Sequence, residues 1–296
     1  MINLKTKKII VPFDFSKTAE NAIKHAAFIA AYTKGELILV YVQKKNDLLD
    51  MLLPVLNIKK PSVVSDLLSE KLSAEAARIQ KEYNVKTIPV FSTGNITSEI
   101  ASLTDEFEAD LIVMGTQGSN SKNEGFLGSN TYRTITKSKV PVLTVSTNPT
   151  KKGFETILLP IDLSAHTRQK VTSAIQMAKL FSASIHVLGL YNESEEVDKF
   201  KLDVYLKQIE KECLKHKVAM TSLELKTDNK VKRTLVYAKK IKADLIISMT
   251  DQDSEFKSIL LGNYIHQLIN NSKVPVLCIH PEIGEMTEGG TTGVPF

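Results

Sequence analysis

At 296 residues, 43% apolar and 24% charged, the chain can bury a sizeable core and is long enough for two domains. Disordered and fibrous classes are excluded by that composition, and no run approaches the roughly 18 apolar residues of a membrane span. Thirty-eight basic against 33 acidic residues leave a net charge of +5 spread along the sequence, with no Trp and no aromatic ladder, which gives no support to nucleic-acid binding.

The N-terminal MINLKTKKIIVPFDF holds only a five-residue apolar run, shorter than the core of a signal peptide, so a cytoplasmic protein without a membrane partner is expected. In chain order, short runs rich in β-branched residues predict strands near 8–13, 36–42, 86–91, 110–114 and 141–146. Ser16 is placed to cap a helix with Ala19, Ile23, Ala26, Ala27 and Ala30 on one face. Val64, Leu68, Leu72, Ala76 and Ile79 form a second apolar stripe, Ile96, Ile100 and Leu103 a third, and a short fourth helix is expected from about Ser129. Strands near 156–161, 183–190, 218–225, 244–249 and 275–280 repeat the order. The alternation predicts an α/β architecture of two tandem, doubly wound, five-stranded parallel-sheet domains.

The repeat is also visible residue by residue. KSKVPVLTV from Lys137 returns as NSKVPVLCI from Asn271, and ADLIV from Ala109 returns as ADLII from Ala243, both 134 positions later. IVPFDFS from Ile10 returns as LLPIDLS from Leu158, 148 positions later, so the first copy is longer by 14 residues, placed in the Gln43 to Pro61 stretch. The expected division is 1–147, 154–281 and a flexible tail, 282–296, with Asn148 to Gly153 as linker. Cys213 and Cys278 lack metal-ligand spacing and are expected to be reduced and structural. Both copies end in a KVPVL strand at a sheet edge, and pairing Pro141–Ser146 with Pro275–His280 would cover both edges in an intrachain pseudo-dimer.

The informative segment for chemistry is MGTQGSNSKNEGFLGS, from Met114 to Ser129, a glycine loop between an apolar strand and a helix start. Gly115 and Gly118 permit close backbone approach to a phosphate, and Gly128-Ser129 add the first free amides of a helix. A tight turn is the alternative reading of the loop. Asp14 follows the first strand at its carboxyl end. If the first and fourth strands are neighbours, Asp14 and the loop face one crevice, where a carboxylate suits a ribose hydroxyl or adenine amine. Capping of the next helix is the alternative for Asp14.

These residues resemble the universal stress protein family in its tandem form, over both copies. Gly115-x2-Gly118-x9-Gly128-Ser129 matches the family's ATP-binding pattern G-x2-G-x9-G-[ST], and PFDFS from Pro12 resembles its first-strand motif. The resemblance implies an adenine nucleotide alpha hydrolase-like fold and ATP as ligand in the first domain. It further implies that Asp14 contacts the nucleoside, the Val42 backbone contacts the adenine, and Gly115, Gly118, Gly128 and Ser129 hold the phosphates, with Mg2+ or Mn2+ bridging them.

In the second copy Met249 stands for Gly115, Gln252 for Gly118 and Asn263 for Ser129, with Asp162 and Gly262 retained. Long side chains at the first two positions are expected to exclude nucleotide there, leaving a domain kept for pairing or for a different small ligand. Ser121 and Lys122 are weaker candidates that could touch the phosphates, with a solvated loop as the alternative, and Arg133 is read as a surface residue. None of His25, His166, His186, His216, His266 and His280 falls at a metal spacing, and no phosphate-loop lysine, nucleophile elbow or carboxylate pair is present, so any hydrolysis is expected to be slow. The expected function is a nucleotide-dependent stress or signalling module, with a further homo-oligomer and a protein partner open. A slow ATPase and an interaction scaffold that binds no nucleotide are the alternatives. A bulky residue at Gly115 is expected to abolish ATP binding and leave the fold.

Overall fold

The structure, a computed structural model, describes residues 7–44, 62–118, 127–147, 153–162, 167–191, 196–250, 252–253, 258–259 and 263–280. Its first half runs β1 (Lys8–Pro12), α1 (Lys17–Thr33), β2 (Glu36–Gln43), α2 (Ser62–Tyr83), β3 (Thr87–Thr93), α3 (Ile96–Glu106), β4 (Leu111–Gly115), α4 (Ser129–Lys137) and β5 (Val142–Val145). The second half repeats the order with β6 (Thr156–Ile161), α5 (Thr167–Phe181), β7 (Ser184–Tyr191), α6 (Glu196–Lys215), β8 (Met220–Lys226), α7 (Lys230–Lys240) and β9 (Leu245–Met249). A two-residue antiparallel pair, β10 (Gln252–Asp253) and β11 (Ser258–Ile259), then precedes α8 (Asn263–Asn271) and β12 (Val276–Ile279).

Local chemistry accounts for the boundaries. The Ser16 hydroxyl accepts the Ala19 N–H at 3.2 Å and starts α1, whose Ala19, Ile23, Ala26, Ala27 and Ala30 are all buried. Asn95 does the same for α3 through the Thr97 and Ser98 amides. Strands buried on both faces read as continuous apolar runs, and Ile9, Ile10 and Val11 are fully buried. The strand expected from 218 begins later, at Met220. Lys217 adopts left-handed φ 58° and the Val218 N–H is spent on the Cys213 carbonyl at 2.9 Å, closing α6 before pairing can start.

The ten strands form one sheet in the order β3-β2-β1-β4-β5-β12-β9-β6-β7-β8. Neighbours are parallel within each half. At the centre β5 and β12 pair antiparallel, with Leu143 opposite Leu277, and the Thr144 hydroxyl donates to the Val276 carbonyl at 3.1 Å. Each half thus covers the other's last strand, as the two KVPVL segments lead one to expect. One core cluster joins α1, α2, α5 and α6 to one face of the sheet, and a second joins α3, α4, α7 and α8 to the other.

Aromatic side chains close the seam on the first face. Phe181 lies 5.6 Å from Phe28 and 5.1 Å from Phe154, and His25, 3% exposed, stacks on Phe154 at 6.2 Å. On the opposite face Tyr132 meets His266 edge-on at 5.9 Å. These two occupy the same position in the two copies, 134 apart, so they face one another across the pseudo-two-fold. Cys213 and Cys278 are free and buried, and burial pushes the Cys213 thiol up to about 11. No helix among the described residues is long and apolar enough to cross a membrane. The extra length of the first copy, the linker at 148–152 and the tail lie outside the described residues.

Candidate functional site

Strands β1 and β4 are neighbours, with Ile9 opposite Leu111 and Ile10 opposite Ile112. The chain order therefore reverses between them, and a crevice opens at the carboxyl ends of both strands. Asp14 stands at that end of β1, half-buried, its Oδ1 accepting the Ser16 amide at 3.1 Å. The loop after β4 reaches the same carboxylate: a Cβ on Gly118 would lie 2.9 Å from Asp14 Oδ2. Only glycine lets the backbone pass there without displacing the aspartate.

Gly115 has a different neighbour. A Cβ on it would lie 2.8 Å from Thr18 Cβ and 3.2 Å from the Thr18 backbone carbon, so this glycine lets β4 pack against the first turn of α1. A bulky residue at Gly115 is therefore expected to cost stability as well as binding, because its added atoms meet Thr18. Gly128 is the N-cap of α4 and brings no side-chain cap; its own amide donates to the Thr116 carbonyl at 2.8 Å. Ser129, exposed, is the first residue of α4, and the N-terminus of a helix suits an anion. Val42 lies near the end of β2. Pro12 is opposite Val40, and Asp14 and Val42 each sit two residues beyond that pair. The site residues named from the sequence are thus at one end of the sheet.

Three residues that the sequence reading passed over hold this arrangement. The Thr18 hydroxyl donates to the Gln117 carbonyl at 2.6 Å and lies 3.1 Å from the Ser16 hydroxyl, tying the glycine loop to the start of α1. The Thr131 hydroxyl donates to the Gly115 carbonyl at 2.9 Å, tying the same loop to α4. Phe15 adopts φ 61°, a costly conformation for an aromatic residue, and packs on Phe13 at 4.7 Å and Tyr41 at 5.6 Å with the Lys71 ammonium 4.3 Å from its ring. Thr18→Val keeps the shape but removes the donor; it is expected to cost about 1 kcal/mol, read as a lower urea midpoint, and an unchanged midpoint contradicts the clip.

The second half builds its crevice from other side chains. The Lys230 ammonium sits 3.4 Å from Asp162 Oδ2, and Lys230 occupies the position of Ile96 in the first copy. Lys170, 8% exposed, points its ammonium at the Pro160 carbonyl at 3.4 Å, where the first copy has Ala22. Met249 is buried in place of Gly115. The Tyr264 hydroxyl bonds Thr234 at 3.0 Å, and its burial pushes the phenol pKa up, with Asp162 adding to the shift. Arg133 is exposed on α4, and among the described residues no three His, Cys, Asp or Glu come together as a metal would require. Ser121, Lys122, His166 and Gly262 lie outside the described residues, as does the side chain of Gln252.

A model of the universal stress protein family matches residues 5–146 and again 153–280. The chain belongs to that family. About half of the chain is similar to a relative of that length: "Universal stress protein MJ0577" of Methanocaldococcus jannaschii is 34% identical over 154 residues, which span 47% of this chain and 94% of the relative. The solved universal stress protein from Archaeoglobus fulgidus covers 94% of this chain and 98% of its own, with a TM-score of 0.73 at 18% identity. One from Pseudomonas aeruginosa covers 94% of each chain with a TM-score of 0.63 at 16% identity. At those identities the two structures attest the universal stress protein fold across both halves.

Proposed function

We propose that the first domain binds ATP at the crevice between β1 and β4, and that the protein works as a nucleotide-dependent stress or signalling module in the cytoplasm. The observation that carries this reading is the approach of the glycine loop to Asp14, where a Cβ on Gly118 would lie 2.9 Å from the carboxylate. Asp14 accepts a hydrogen bond from the ribose or adenine, and the Val42 backbone borders the base. Gly115, Gly118 and Gly128 let the phosphates approach the backbone closely, and the first-turn amides of α4 from Ser129 onward supply donors. With the nucleotide, Mg2+ or Mn2+ would supply neutralisation of phosphate charge. The glycine cradle fits a phosphate group, with which such an ion would be held, rather than a protein ligand set.

Turnover is slow in this reading. Phosphoryl transfer to water needs a group that orients the nucleophile, and Asp14, already accepting the Ser16 amide at 3.1 Å, belongs to the nucleoside end of the crevice. The second domain serves as the built-in pairing partner.

The reading predicts that ATP with Mg2+ at about a hundred times its dissociation constant stabilises the protein by about 2.7 kcal/mol, seen as a rise of several degrees in melting temperature. No rise, in protein stripped of carried-over nucleotide, sinks it in favour of a scaffold. Phosphate release that scales with protein favours the ATPase.

A further inference from the structure

Asn270, on α8 of the second half, accepts the backbone N–H of Leu127 in the first half. Leu127 is the residue before Gly128, and Gly128 is the N-cap of α4. The two consecutive amides that lead into α4 are therefore fixed from two directions. Gly128 is held by the Thr116 carbonyl at 2.8 Å within its own domain, and Leu127 by a side chain from the other. The contact lies beside the Tyr132 and His266 rings, and the His266 Nδ1 is 3.5 Å from the Asn270 amide nitrogen, so Asn270 is itself placed by its neighbours on α8.

The accepting residue differs between the two copies. Position 270 corresponds to Thr136 in the first copy, 134 earlier, and the Thr136 hydroxyl donates to the Arg133 carbonyl of its own helix at 3.1 Å. The acceptor thus comes from the half with the altered glycine pattern and serves the half with the intact one. We propose that Asn270 is a positioning residue for the phosphate end of the first crevice, so that the second domain completes the ligand site of the first. This rests on the nucleotide reading above. Asn270 touches no ligand. It sets where the first turn of α4 begins, and with it the direction of the Ser129 hydroxyl and the free first-turn amides. By linkage, a nucleotide whose phosphates select that placement also strengthens the docking of α8 on α4.

The test is calorimetry of the full chain with ATP and Mg2+, and separately with adenosine, for the natural protein, Asn270→Leu and Asn270→Gln. Losing one part-buried acceptor that fixes the loop predicts about tenfold weaker ATP binding in Asn270→Leu, with adenosine affinity unchanged because Asp14 and Val42 are untouched. Asn270→Gln keeps an amide oxygen within reach of Leu127 and is expected to recover most of the ATP affinity. Amide exchange at Leu127, measured without ligand, is expected to speed up in Asn270→Leu and not in Asn270→Gln. Equal ATP affinity in the natural protein and Asn270→Leu overturns the proposal, as does an equal loss of ATP and adenosine. Absence of ATP binding in the natural protein refutes the nucleotide reading itself and is told apart by that control; the exchange rates still decide whether Asn270 fixes the loop.

Discussion

Gly118→Val is expected to abolish ATP binding while leaving the melting temperature of the ligand-free protein within a few degrees. The first added carbon lies 2.9 Å from Asp14 Oδ2, closer than real side chains approach, and the rest of the valine must occupy the crevice between the loop and the carboxylate. The other close neighbour named for Gly115, the α1 backbone, is absent from the surroundings of a Gly118 Cβ, so the loop absorbs the change without disturbing the core. Two lost phosphate contacts at about 1.5 kcal/mol each alone weaken binding about a hundredfold, and exclusion of the ligand from the filled crevice removes the rest. Gly115→Val makes the informative contrast. Its Cβ strikes Thr18 at 2.8 Å, and overpacking of this kind costs about 1–3 kcal/mol. It is therefore expected to lose binding and stability together. A Gly118→Val protein that binds ATP like the natural one removes the glycine loop from the site.

A large effect is also expected from acidification. Burial lowers His25 and His280 from 6.5 to about 4, with the neighbouring Lys24 adding to the shift at His25. His25 is shut between α1 and Phe154, and the His280 Nδ1 is 3.0 Å from the Thr250 hydroxyl. The unfolded chain therefore takes up protons at these positions near pH 6.5 while the folded protein does not until about pH 4. Stability from both groups is fully present above 6.5 and is lost as pH falls through that window. At about 1.4 kcal/mol per pH unit below the unfolded value, each costs about 2 kcal/mol on going from pH 7 to pH 5. Glu20 and Glu224 act in the opposite sense, since burial raises both carboxyls. The comparison that isolates the histidines is the natural protein against the His25→Gln, His280→Gln double variant, by urea unfolding at both pH values. The variant is expected to lose about 4 kcal/mol less on acidification, and equal losses contradict the assignment.

The fold was legible because each half repeats short β-branched runs and strongly periodic helices, and because Ser16 and the alanine stripe behind it mark α1 unambiguously. Within the site, Asp14 and the glycines could be named from their place after apolar strands. Their proximity depended on β1 lying beside β4, which no spacing reveals. Thr18 was passed over because a threonine in the first turn of a helix is ordinary, and its partner, the Gln117 carbonyl, is 99 residues away. A comparable separation, between Gly115 and Thr18, hid Gly115's part in packing α1. Lys230 and Lys170 were visible as departures from Ile96 and Ala22 once the copies were aligned, yet only the closed sheet brings one to Asp162 and the other to the Pro160 carbonyl. Asn270 became meaningful only through the antiparallel join of β5 and β12, which sets α8 beside the loop of the other half.

The central claim is that one crevice of the two binds nucleotide. Calorimetric titration of the full chain with ATP and Mg2+, after any carried-over nucleotide has been removed, tests it most directly through the stoichiometry. One site per chain, lost in Gly118→Val, is the predicted result. Two sites per chain would contradict it, showing that Lys230 and Met249 leave the second crevice open, and no binding at all would contradict the assignment of the glycine loop.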